Sequence, residues 1–291
     1  MSPTAVIDET PLPRLPARQA DTHKGHFGTA LLVGGAQGMA GAISLAGMAA
    51  LRAGTGLVRL AVPAPSQPTV AGFSPCYMTL PLLADADGRL AAGADKAIAG
   101  HIATATAIGC GPGLGRSAAS DALAAYWYQN VGQPMVIDAD ALNALASRPD
   151  ALATPGGPRV LTPHPGEFLR LTARREKLSP DERRPLAEAF SRQTGAVVVL
   201  KGHRTIVTDG ERTSVNPTGN PGMASGGMGD ALVGVMVALL CQGLSPYDAA
   251  RLGVYVHGLA GDLAAGEIGP VGIVATDLID RLPRALAQAQ Q

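Results

Sequence analysis

Short apolar runs punctuate this chain, each stopping at a turn-forming or charged residue, and alanine-rich or amphipathic stretches lie between them. Residues 30–33 end at Gly34-Gly35, and residues 57–62 form a second run. Residues 105–108 lead into a glycine-rich segment over 109–115, and residues 134–137 stop at Asp138. Residues 159–161 run into Thr162-Pro-His-Pro-Gly-Glu167, and residues 196–200 end at Lys201-Gly202. Runs of this length bounded by turn residues predict buried strands. Residues 205–208 and 214–215 predict a hairpin about Asp209-Gly210. Helical patterns fill the gaps at residues 40–53, 117–129, 180–194, 230–242 and 249–265. Ahead of all these, Pro3, Pro11, Pro13 and Pro16 predict an extended arm over residues 1–22 with no regular element.

Strands alternating with helices define an α/β chain with a mainly parallel sheet covered on both faces. No repeat, linker or change of composition interrupts residues 23–291, which predicts one domain after the arm. Nearly every polar or glycine-rich motif follows a strand. Open α/β sheets bind ligands at the carboxyl ends of their strands, so these motifs should converge on one crevice.

Composition sharpens the picture in three ways. With 46% hydrophobic and 16% charged residues, the chain can build a sizeable core. The balance of 23 basic against 23 acidic residues gives no electrostatic case for nucleic acid. Cys76, Cys110 and Cys241 are too few and too scattered for a disulfide framework or a metal cage, and read as core residues of a cytoplasmic protein. The acidic, proline-rich start lacks the pattern of a secretory signal. The longest apolar run, residues 231–241, is too short to cross a bilayer, which predicts no membrane partner.

The densest candidate chemistry is Asn220-Pro-Gly-Met-Ala-Ser-Gly-Gly-Met-Gly-Asp230, followed by a buried helical pattern. Glycines let the backbone approach a ligand, and a helix start offers unpaired N–H groups to an anion. Asp230 is then either a general base for a hydroxyl or a helix cap. Gly109-x-Gly-Pro-Gly-x-Gly115 lacks dinucleotide-fingerprint spacing and is either a plain turn or a loop that admits a substrate. Asp138 and Asp140 either hold Mg²⁺ through water or cap a helix. His164 and Glu167 share a proline-braced turn, with ligand contact and a structural role both open. Lys201-Gly-His-Arg-Thr205 suits phosphate, or is a solvated turn before the hairpin. His257-Gly-Leu-Ala-Gly-Asp262 reads as tight helix packing.

Taken in order, His23-Lys-Gly-His-Phe-Gly28, Val33-Gly-Gly-Ala36, Gly41-Ala42, Gly111-Pro-Gly-Leu-Gly115, Val136-Ile-Asp-Ala-Asp-Ala-Leu142, Thr162–Glu167, Leu200-Lys-Gly202 and Thr218–Asp230 resemble the ADP- or ATP-dependent NAD(P)H-hydrate dehydratases over residues 23–283. The resemblance implies a ribokinase-like, three-layer α/β/α sandwich. It also implies repair of a hydrated nicotinamide dinucleotide, (6S)-NADHX or (6S)-NADPHX, by phosphorylation of the ring hydroxyl and loss of phosphate, with ADP the expected adenine nucleotide. Asp230 would be the base, and the N–H groups of Gly227, Met228 and Gly229 would stabilise the phosphoryl group. Ala42, Gly113, His164 and Asp230 match hydrated-cofactor positions. Lys201, Gly202, His203, Arg204, Thr205 and Gly229 match the nucleotide site. Glu167 aligns with the acid that organises Mg²⁺, a role extended here to Asp138. The His203-Arg204 pair is bulkier than in many relatives, which leaves ADP against ATP open. The resemblance further implies a homotetramer. Bifunctional relatives add an epimerase domain; residues 1–22 leave no room for one, so epimerase activity is expected from a separate chain. The alternatives are a superfamily kinase for a small vitamin alcohol, releasing a stable ester, and a regulatory nucleotide-binding module; Asp230 with its glycines weighs against the second.

Overall fold

A computed structural model describes residues 5–291. In chain order the elements begin with β1 (Val6–Ile7), β2 (Thr29–Val33), α1 (Ala40–Arg52), β3 (Leu57–Pro63), α2 (Gln67–Phe73), β4 (Met78–Leu82) and α3 (Ala94–Ala103). Next come β5 (Ala107–Cys110), α4 (Ala118–Asn130), β6 (Met135–Ile137), α5 (Ala139–Ala146), α6 (Pro149–Leu152), β7 (Arg159–Leu161), α7 (Pro165–Leu171) and α8 (Pro180–Thr194). The chain closes with β8 (Val197–Leu200), β9 (Ile206–Thr208), β10 (Arg212–Val215), α9 (Met228–Cys241), α10 (Pro246–Ile268) and α11 (Ala275–Ala289).

The strands form one ten-stranded sheet in the order β1-β10-β9-β8-β7-β6-β5-β2-β3-β4. All pairings are parallel except β8 with β9 and β9 with β10, the predicted hairpin. Side chains alternate across the strands. Ala30, Leu32, Val58, Leu60, Val197 and Val199 join a core with α1, α9, α10 and α11. Leu31, Val33, Ala61, Val198 and Leu200 join a second core with α3, α4, α5, α7 and α8. Burial on both faces is why these strands read as continuous apolar runs. The result is a three-layer α/β/α sandwich. Among the described residues no helix is long and apolar enough to cross a membrane.

The chain leaves β2 towards β3 and β4 on one side and returns through β5 to build the other, so strand order reverses between β2 and β5. At that switch point the two glycine loops meet. Gly35 N–H donates to Pro112 O at 3.0 Å and Ala36 N–H to Gly113 O at 2.7 Å, and a Cβ on Gly34 would collide with Pro112. Such a crevice is where open α/β sheets bind ligands.

Three differences from the sequence reading have physical causes. Residues 1–4 of the arm lie outside the described residues, but Val6 and Ile7 make a short parallel strand against Arg212 and Thr213, so the arm does hold a regular element. This proline-free stretch can pair because its N–H groups are intact. The strand expected over 105–108 lies at Ala107–Cys110, where Gly109 fits against the side chains of Leu32 and Val233. Strand β4 went unread because Pro81 interrupts it; proline is tolerated there at a sheet edge.

Helices α1 and α9 pack so closely that a Cβ on Gly234 would strike the backbone of Ala46. Gly234→Ala should therefore lower stability by about 1–3 kcal/mol, read by chemical denaturation. Unchanged stability would show that the two helices can part without cost.

Candidate active site

The first turn of α9 organises the crevice. Gly227 stands at its N-cap with φ 87°, a left-handed conformation that glycine adopts without strain, and no side chain caps the helix. The leading N–H groups of α9 thus remain free for an anion, as at any uncapped helix start. Asp230 lies in this turn and does not serve as its cap, which removes the bland reading of that residue. Its carboxyl is pushed up to about 6, chiefly by burial and then by the charge of Asp138; Lys201 opposes the rise and Asp140 adds to it. An acid with that value is suited to proton transfer near neutral pH.

Behind Asp230, strand ends place two acids around one ammonium. Lys201, just after β8, sits 2.7 Å from Asp138 Oδ1 and 3.8 Å from Glu167 Oε2. Asp138 follows β6 and occupies the N-cap position of α5, yet its side chain makes no capping bond and pairs with Lys201 instead. Burial works against the Lys201 charge, but Asp138 and Glu167 outweigh it and hold the ammonium above its usual range. Burial raises Glu167, with Lys201 pulling the other way. Asp140 takes a different task, accepting from Gly115 N–H at 3.0 Å and so tying the second glycine loop to α5.

His164 caps α7. Its Nδ1 accepts from Gly166 N–H at 3.0 Å, while the His164 backbone N–H donates to Glu167 Oε2 at 2.8 Å. Nε2 stands 3.4 Å from Glu167 Oε1, and the ring is half exposed. The ring therefore builds the turn and keeps half of its surface open. Gly113 adopts φ 58° with its backbone against Met39 and Ala42, which makes Ala42 and Gly113 neighbours.

A cavity of about 490 Å³ opens beside the same turn. Lys201, Gly202, His203, Arg204, Thr205 and Gly229 all line it, and Met228 with them. That volume lies in the usual range for small-molecule sites. Gly227 faces Leu45 and Ala275 instead, so its contribution is the turn itself. Sequence reasoning missed Asn216, Leu232, Val254 and His257 as lining residues. They come from the residue after β10 and from α9 and α10, and nothing local in the sequence marks their convergence. Met228, Leu232 and Val254 give one wall an apolar surface suited to a planar ring.

Among the described residues no three His, Cys, Asp or Glu side chains group to cage a metal. Mg²⁺ in phosphate sites needs only one or two carboxylates besides phosphate and water. Asp138 fits that lesser part, since its Oδ2 lies 3.5 Å from where a Cβ on Gly229 would be and so faces the helix start.

An open three-layer sheet whose ligand-sized cavity lies beside a free helix N-terminus and a partly buried acid marks a ribokinase-like protein. Residues 30–284 match the sequence profile of the NAD(P)H-hydrate dehydratases, and the chain belongs to that family. It is 36% identical over 268 residues to the ADP-dependent (S)-NAD(P)H-hydrate dehydratase of Neisseria meningitidis, covering 87% of this chain and 86% of that one. It is 43% identical over 280 residues to the bifunctional NAD(P)H-hydrate repair enzyme Nnr of Moorella thermoacetica, covering 96% of this chain and 53% of that one. The chain spans about half the length of most of the curated relatives it matches. Its fold superposes with a TM-score of 0.76 on the ADP/ATP-dependent NAD(P)H-hydrate dehydratase of Bacillus subtilis co-crystallised with ATP/Mg²⁺, at 31% identity and 95% coverage of each chain.

The raised value at Asp230 has a consequence for stability independent of any substrate. Below about pH 4 the carboxyl is protonated both folded and unfolded, and it costs nothing. As pH rises from about 4 through about 6 the folded state comes to hold a partly buried charge, and stability is lost. Asp230→Asn should therefore gain up to about 2 kcal/mol over wild type at pH 8 and nothing at pH 3, read as the difference in thermal midpoint. A gain that is the same at both pH values would mean that the charge is not the cause.

Proposed function

We propose that this protein dehydrates (6S)-NADHX and (6S)-NADPHX to NADH and NADPH, using an adenine nucleotide as phosphoryl donor. The observation that carries the reading is Asp230, a partly buried, uncapping acid held near 6 in a helix turn whose preceding residue, Gly229, lines a nucleotide-sized cavity. ADP is the donor we infer, as in the name of the Neisseria relative. On the same resemblance we infer a cytoplasmic homotetramer whose substrate is supplied by an epimerase.

The chemistry divides into two steps. Asp230 takes the proton from the ring hydroxyl as its oxygen attacks the terminal phosphorus, and the bond from that phosphorus to the departing nucleotide breaks, releasing AMP from ADP. The free N–H groups at the start of α9 and the Lys201 ammonium stabilise the charge that spreads over the phosphoryl oxygens. The ring nitrogen then pushes out phosphate by breaking the carbon–oxygen bond, and the adjacent carbon loses a proton to restore the double bond. Ala42, Gly113 and His164 hold the hydrated ring and its dinucleotide, while residues 201–205 hold the donor. Asp138 and Glu167 would bind Mg²⁺ through water, and the ion would neutralise phosphate charge.

Incubation of the protein with NADHX and ADP should yield NADH, phosphate and AMP in equal amounts, followed by NADH absorbance and product assay. Nucleotide consumed with vitamin alcohols, but not with NADHX, would replace this reading with a kinase. Asp230→Asn should lower kcat by at least about 10²-fold while nucleotide still binds. Because the base must be ionised, kcat/KM should fall as pH drops through about 6. A profile flat down to pH 4 would remove Asp230 from proton transfer.

A further inference from the structure

The motif His257-Gly-Leu-Ala-Gly-Asp262 takes no part in the reaction written above, yet it touches both walls of the cavity. On α10, His257 Nε2 lies 2.9 Å from the carbonyl oxygen of Met228, the first residue of α9. Five residues on, Asp262 Oδ2 accepts from Gly219 N–H and its Oδ1 accepts from Asn220 Nδ2, each at 2.9 Å. Asn220 Oδ1 in turn accepts from Gly222 N–H at 2.9 Å, extending the hold into the turn Pro221–Met223. Two glycines fix the spacing, because a Cβ on Gly258 would collide with Thr218 and one on Gly261 with the sulfur of Met223. These contacts explain why the motif needs its small residues, but packing alone would not need the histidine or the acid.

The histidine is a fixed donor. Burial drives its value down to about 4, so the ring is neutral at working pH. A carbonyl can only accept, so the proton sits on Nε2. The carbonyl of Met228 and the N–H of Gly229 belong to one planar trans peptide and point in opposite directions. Pinning the carbonyl on α10 therefore aims the Gly229 N–H away from α10's imidazole and along the open end of α9. Asp230, the next residue, turns with it.

Building on the phosphoryl-transfer reading, we propose that α10 sets the geometry of the phosphoryl cradle. His257 is a positioning residue that aims the Gly229 N–H and Asp230 through the Met228 carbonyl. Asp262 is a positioning residue that holds the Gly219–Asn220 loop closed over the nucleotide.

Four forms of the full chain test this: wild type, His257→Leu, His257→Gln and Asp262→Asn, each with its thermal midpoint, its kcat and KM with NADHX and ADP, and its calorimetric Kd for ADP. Glutamine carries a donor close to where Nε2 stood, whereas leucine carries none. His257→Leu should lower kcat by about 10²-fold with the KM for ADP changed less than about threefold, as a misaimed cradle requires. His257→Gln should recover kcat to within about tenfold of wild type. Asp262→Asn leaves one of the two donors, Gly219 N–H or Asn220 Nδ2, facing an amide nitrogen, and should weaken ADP binding by about tenfold. An unchanged kcat in His257→Leu would overturn the proposal. So would a glutamine variant as slow as the leucine one, or losses in both that appear as KM for ADP, which would make His257 a nucleotide contact. If the leucine variant does not fold, the ADP affinity of Asp262→Asn decides, and a wild-type Kd there overturns the proposal. A wild type inactive on NADHX refutes the proposed reaction, while the ADP affinities still judge the role of α10.

Discussion

A single ammonium makes the crevice possible. Asp138, Glu167 and Asp230 crowd the carboxyl edge of the sheet with little water to share their charge, and Lys201 reaches two of them at 2.7 and 3.8 Å. Like charges in a partly buried site raise one another's proton affinity, and an opposite charge offsets the rise. Lys201 supplies that offset to Glu167 and to Asp230 at once. Without it the acid of the helix turn would hold its proton too tightly to act as a base at neutral pH. With it, Asp230 settles near 6, between an ordinary surface acid and a locked buried one. Removing one partner of a buried pair also leaves the other uncompensated, so the same contact supports stability and reactivity.

Around this pair the fold supplies backbone and not side chains. The free N–H groups of α9 are available because Gly227 enters the helix from a left-handed turn and no side chain occupies the cap. The loops after β2 and β5 cross by main-chain bonds that leave no room for a Cβ at Gly34. Such a crevice presents dipoles already oriented before any substrate arrives, which is what stabilising a spreading phosphoryl charge requires. The ionisable groups are few, and each has a defined neighbour.

How much of this was legible follows from the range of the forces involved. Strand β7 and helix α8 were read to the residue, because Arg159-Val-Leu161 stops at the Thr162-Pro163 turn and the α8 pattern opens on Pro180, a residue suited to a first helical turn. Strand β5 was read two residues early, since its register is set by pairing with β2 and not by its own residues. Helix α11 went unread although Leu278, Ile279, Leu282 and Ala285 line one face, because Pro283 interrupts the pattern. In the site, Lys201–Thr205 and Gly229 could be placed because each follows a strand or opens a helix. For Asp138 the sequence left Mg²⁺ binding and capping open, and its pairing with Lys201 could not be read because that partner is 63 residues away. Asn216 and Val254 were invisible for the same reason.

In the proposed reaction the ring hydroxyl of the hydrated nicotinamide is itself phosphorylated and departs as phosphate. Heavy oxygen placed in that hydroxyl distinguishes this from direct loss of water. With ADP present, the label should appear in the released phosphate, because the carbon–oxygen bond is the one that breaks in the second step. Label recovered in water, with phosphate carrying none, would contradict it.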